Sequence, residues 1–178
     1  MPLSVSQQVQ QPVEKRFLGT GDQAIFNTLK VMREIVLKSA QNYYIRRWAE
    51  TIVKSSRSNI DRVHAVFDFI AQHTRYLRDP HGFEFIKTPP VSLQLIEVGE
   101  IAQLDCDDFT VLSLSLLKSI GFNVTIKAIA IREDKKFSHV YGLVEFERGK
   151  WIPIDLTKPE TGFGWEWPTP TRITELKV

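Results

Sequence analysis

The chain has 178 residues, 43% apolar and 25% charged, enough for one domain with a sizeable core and too short for two ordinary ones. Its 23 basic and 21 acidic side chains leave a net charge of +2 with no basic block, which argues against nucleic acid or an anionic membrane surface as main partner. One cysteine excludes an internal disulfide, the Gln-rich start lacks the apolar core of a signal peptide, and charge interrupts every long apolar run. A cytoplasmic or virion-associated protein without a transmembrane segment is expected.

Residues 1–20 carry Pro2, Pro12 and Gly19 and no periodicity, and read as a loose arm. From Asp22, a candidate N-cap, Ile25, Leu29, Met32 and Val36 recur at helical spacing. A second helix is predicted over Tyr44 to Lys54, with Ile45, Trp48 and Ile52 on one face. A third, capped by Ser58 or Asn59, carries Ile60, Val63, Phe67 and Ile70. Asp79-Pro80-His81-Gly82 and Pro89-Pro90 mark a long irregular stretch. After it, Leu112, Leu116, Leu117 and Ile120 define a strongly apolar, central helix that Gly121 ends.

Beyond that helix the period changes to strands at Asn123 to Ile131, Ser138 to Phe146 and Lys150 to Asp155. The tail, with Gly162, Gly164, Trp165, Trp167, Pro168 and Pro170, reads as a loop packed as a cover. Helices first and consecutive strands later predict an α+β fold with an antiparallel sheet. Residues 1–57 would form an arm and helical extension and 58–178 the core, together one compact domain.

The one cysteine, Cys106, lies in Gln103-Leu104-Asp105-Cys106-Asp107-Asp108, followed by His139 in a strand start and by Asp155 at a strand end. Thiol acyl transfer needs a thiolate that attacks a carbonyl, an imidazole that takes and returns the proton, and a carboxylate that fixes the imidazole. Asp105 as N-cap would place Cys106 in the first turn of its helix, where unpaired N–H groups favour a thiolate and can bind an oxyanion. Asp107 and Asp108 oppose this by raising the thiol pKa, though Asp108 also sits where a capping box has its acid, and an ion pair with His139 is expected to decide the matter. A lone cysteine is by default a small buried residue, but three flanking aspartates before a helix are unusual company for one.

The hairpin between His139 and Asp155 can be tested on paper. Val140, Val144 and Phe146 face the core on one strand, and Ile152 and Ile154 on the other, so even positions must pair with even ones. A three-residue loop, Glu147-Arg148-Gly149, achieves this, whereas a two-residue Arg148-Gly149 turn would put His139 and Asp155 on opposite faces. In the even register Tyr141 opposes Asp155, and His139 is its diagonal neighbour at about 7–8 Å.

These residues resemble the transglutaminase-like cysteine peptidase superfamily. Asp-Cys-Asp-Asp, the helix ending in Gly121-Phe122, Ser138-His139-Val140-Tyr141 and Trp151-Ile152-Pro153-Ile154-Asp155 carry the resemblance. Thr74-Arg75-Tyr76 with Asp79-Pro80 and Thr88-Pro89 is similar to the segment preceding this core in bacterial and phage members. The resemblance implies a papain-like core with Cys106 as nucleophile, His139 as base and Asp155 as orienting acid, and no metal or organic cofactor. Leu104 stands where the pattern usually has glycine, so a side chain is expected in the path to the thiol. Gln103 and the Cys106 backbone are the oxyanion-hole candidates, with Gln94 the next, and Tyr76 and Trp165 are the cleft-lining ones. His64, His73 and His81 lack the spacing of a zinc motif.

The expected function is a cofactor-free thiol hydrolase or acyl transferase acting on a peptide or protein amide bond. The alternative is a phage- or prophage-associated structural protein, bound to phage structural proteins, that keeps the fold without turnover.

Overall fold

A computed structural model describes residues 21–78, 86–133 and 135–178. The arm at 1–20, Asp79-Pro80-His81-Gly82 and Asp134 lie outside the described residues. Helix α5 (Cys106–Ser119) is the axis of the molecule. Helices α1 (Gly21–Ala40), α2 (Tyr43–Ile52), α3 (Asn59–His73) and α4 (Pro89–Glu97) pack against it, and strands β3 (Asn123–Ala130) and β4 (His139–Glu147) pack there too. Surrounded in this way, α5 buries side chains around most of its circumference, as its apolar composition predicts. One hydrophobic cluster runs from Leu29 on α1 through Leu112, Leu116 and Leu117 to Ile154 and Leu156.

The local causes are legible. Asn42 caps α2 by accepting from the Tyr44 N–H at 2.8 Å. Ser58 and Asp61 form a capping box at the start of α3. Helix α1 already contains Asp22, so the cap expected there is a helical residue. Pro89 and Pro90 open α4, where N–H groups have no intrahelical acceptor and proline's lack of one costs nothing. This helix, and the short parallel pair β1 (Thr74–Tyr76) and β2 (Ala102–Leu104), replace much of the irregular stretch expected before Cys106.

The main sheet has the order β5-β4-β3-β6, antiparallel throughout, with β5 at Lys150–Ile154 and β6 at Arg172–Lys177. The tail is therefore a loop followed by an edge strand, a correction to the reading of it as loop alone. The β4–β5 register pairs Gly142 with Ile154 and Val144 with Ile152, the predicted even register. Its origin differs in detail: Glu147 pairs Lys150 across an Arg148-Gly149 turn, and an irregularity between Glu145 and Glu147 absorbs the extra residue. Gly149 holds the positive φ of 75° that the turn needs. Among the described residues no helix is long and apolar enough to cross a membrane.

Candidate active site

Cys106 is the first residue of α5. Asp105 is its N-cap, with Oδ1 accepting from the N–H groups of Asp107 at 3.1 Å and Asp108 at 3.2 Å. Asp108 returns a bond to the Asp105 N–H and completes the box. It is fully buried, and both its oxygens are engaged by Lys87, the backbone N–H at 2.6 Å and Nζ at 3.0 Å. Burial pushes the Asp108 carboxyl up, against the opposing charge and hydrogen bonds of Lys87. The acid expected only to cap thus also fastens the segment before α4 to the start of α5.

The thiol is partly buried and touches two elements. Sγ donates to Asp107 Oδ1 at 3.5 Å, and the Val140 backbone N–H on β4 reaches the sulfur. Thr110 Oγ1 ties the same turn to both Cys106 O at 2.7 Å and Val140 O at 3.4 Å. Burial, and then the charges of Asp107 and Asp105, push the Cys106 thiol well above its ordinary value. Burial and the two carboxylates thus oppose the thiolate that the helix terminus favours.

One residue before Val140, His139 begins β4, buried between elements. Its Nε2 lies 2.6 Å from Asp155 Oδ2. With Nε2 committed, Nδ1 is the nitrogen left for a second proton exchange. Asp155 is also buried and accepts from the Thr157 N–H at 3.0 Å and Thr157 Oγ1 at 2.7 Å, both on Oδ1. Its Oδ2 accepts a further bond from Trp167 Nε1 at 3.0 Å. Burial works against its ionisation, but the hydrogen bond and charge of His139, with Thr157, prevail and hold the carboxyl below its usual value.

The other named candidates are placed as follows. Gln103 is exposed on β2 between buried Ala102 and Leu104, paired with Arg75. Leu104 is fully buried in the core, so its side chain does not stand in a path to the thiol. Gln94 lies on α4 and is partly buried. Tyr76 is 47% exposed; burial raises its hydroxyl pKa, as does the charge of Cys106, Asp105 and Asp107, which places the phenol near that turn. Trp165 packs edge-on to Trp167 at 5.2 Å, with Lys158 Nζ 5.9 Å from its centroid. Phe163 stacks on His64 at 4.5 Å and leans on Phe67, so it covers α3.

Sequence reasoning missed Thr157 and Trp167. An Asp-x-Thr turn is a recognisable signal for the first. Trp167 lies twelve residues beyond Asp155, and no periodicity connects them. Among the described residues no three His, Cys, Asp or Glu side chains gather as a metal-ligating group.

A putative protease from Parabacteroides distasonis ATCC 8503 shares this fold, with a TM-score of 0.57 at 12% identity. The match covers 74% of this chain but only 29% of that one. A putative cysteine protease from Cytophaga hutchinsonii gives 0.49 at 14% identity, over 83% of this chain and 55% of its own. A TGase gives 0.42 at 17%, over 84% and 36%, and both of these scores are too low to argue from. No family model and no curated protein matches the chain. The likeness to the Parabacteroides distasonis protein is one of fold, and it agrees with the α+β architecture with an antiparallel sheet expected from the sequence.

Proposed function

We propose that the protein is a cofactor-free thiol hydrolase or acyl transferase acting on an amide bond, with Cys106 as nucleophile, His139 as base and Asp155 as orienting acid. The observation that carries this reading is the joining of the two halves at one point. Val140 N–H reaches the thiol, and the residue before it holds Asp155 at 2.6 Å. Attack proceeds by general-base catalysis: His139 Nδ1 takes the Sγ proton as sulfur bonds to the carbonyl carbon, and returns it to the leaving amine. Water then cleaves the thioester, releasing the acid. The capping box uses the N–H groups of Asp107 and Asp108 but not that of Cys106, which is left to bind the oxyanion. Gln103 and Tyr76 are the side chains to test as further donor and cleft wall.

The experiment is acylation of the native protein by p-nitrophenyl acetate at neutral pH. The reading expects a stoichiometric nitrophenol burst, absent in Cys106→Ala and slowed roughly 10²-fold or more in His139→Ala. A burst of equal rate in His139→Ala, or none in the wild type, overturns it. The Asp107 carboxylate 3.5 Å from the thiol favours the second reading, a protein that keeps the fold for docking, and the absence of any burst would turn the search to binding partners.

A further inference from the structure

We propose that Trp167 is a positioning residue of this site, its indole N–H holding the Asp155 carboxylate in the rotamer that grips the His139 ring. A carboxylate offers about four lone-pair sites, and here all are used: Thr157 supplies two donors to Oδ1, and His139 and Trp167 supply one each to Oδ2. The donors are not equivalent. Thr157 sits two residues from Asp155, so it fixes the carboxylate only against its own backbone turn. Trp167 reaches it from a separate segment and shares the oxygen that binds His139.

The indole does more than donate. Its ring meets the imidazole edge-on at 5.5 Å, while Tyr141 stacks on the imidazole at 5.6 Å. Two aromatic walls keep water from a buried charged hydrogen bond, where it is worth most. Trp167 is itself steadied, by Trp165 against its edge and by Lys158 Nζ at 4.4 Å from its centroid. Tyr141 is anchored in turn through its hydroxyl to Glu166, which pairs with Lys127 at 2.7 Å. The Trp165-Glu166-Trp167 triplet thus braces the His139–Asp155 pair from outside the sheet.

This inference rests on the thiol reading for its consequence, but its test reads protons rather than turnover. Trp167→Phe keeps a ring beside His139 and removes the N–H. In ¹⁵N-resolved proton spectra the wild type should show the His139 Nε2 proton in slow exchange with water. The variant should exchange it about tenfold faster or more, with part of the imidazole in the Nδ1–H tautomer and a melting temperature close to wild type. Unchanged exchange and tautomer in a folded Trp167→Phe protein overturn the proposal.

Asp155→Asn provides a reading that does not depend on that variant folding. The Trp167 indole proton should move upfield as its acceptor loses charge, and an unmoved signal overturns the proposal equally. An inert Cys106 would defeat the thiol reading and leave these proton signals intact. A normal burst with indifferent protons would do the reverse.

Discussion

Nε2 of His139 and Oδ2 of Asp155 lie 2.6 Å apart, although the two residues are diagonal and not direct partners in the β4–β5 ladder. Diagonal neighbours in a sheet meet only when both side chains lie on one face and lean towards each other. Here that bond commits Nε2, and in the proposed mechanism Nδ1 is the nitrogen that serves the thiol. Asp155→Asn should keep the fold but lower turnover by roughly 10²–10⁴-fold, since an amide can hold the wrong tautomer. Steady-state kinetics on an activated amide, with circular dichroism as a control, checks this; an activity within a factor of about two of wild type would contradict it.

The same carboxylate should shape acid stability. Its pKa is lowered in the folded protein, so the contribution is fully present above the unfolded value, near 4. It is lost as the pH falls from there through the folded value. Urea unfolding from pH 6 down to pH 2.5 should therefore show a steeper loss for wild type than for Asp155→Asn over that low window. Parallel curves would mean that the carboxylate has no preferential stabilisation in the native state.

Asp107 restrains the thiol that it touches. Asp107→Asn removes the nearest negative charge, so the alkylation midpoint of Cys106 should fall, while burial, the larger cause, keeps it above an ordinary cysteine. Iodoacetamide rates across pH 6–10 give the midpoint directly. An unshifted or higher midpoint would show that the 3.5 Å contact does not govern the proton.

The parts of the molecule that follow a local rule could be read in the chain. Asp105 and Asp108 form the predicted box, and the parity of Val144, Ile152 and Ile154 set the register that joins His139 to Asp155. What stayed hidden depends on contacts distant in sequence. Helix α4 begins with two prolines that look like a loop until their place in the first turn is known. Strand β6 exposes Ile173, at 51%, so its apolar alternation is broken at the edge of the sheet. Burial, and then Asp107 and Asp105, push the thiol pKa up, whereas a helix terminus read alone points the other way.

Gly142 on β4 lies close against Leu114 of α5. A Cβ there would sit 2.5 Å from Leu114 Cδ2 and 2.9 Å from Ile154 Cγ2. Gly142→Ala should destabilise by about 1–3 kcal/mol and, by pushing β4 off α5, slow the ester burst as well. Chemical denaturation and burst kinetics on one preparation check both. Full stability would mean that Leu114 and Ile154 can give way without cost.

The turn at Arg148-Gly149 lies eight residues along β4 from His139, or about 26 Å of extended strand. Because the irregularity at Phe146 cancels the odd step of that turn, strand parity acts as a reading frame for the chemistry. Removing one residue at the hairpin tip would frameshift the ladder and turn His139 and Asp155 to opposite sides of the sheet, with every side chain still present. The length of that tip is therefore tied to the bulge: a change of one residue keeps the frame only if the bulge goes with it.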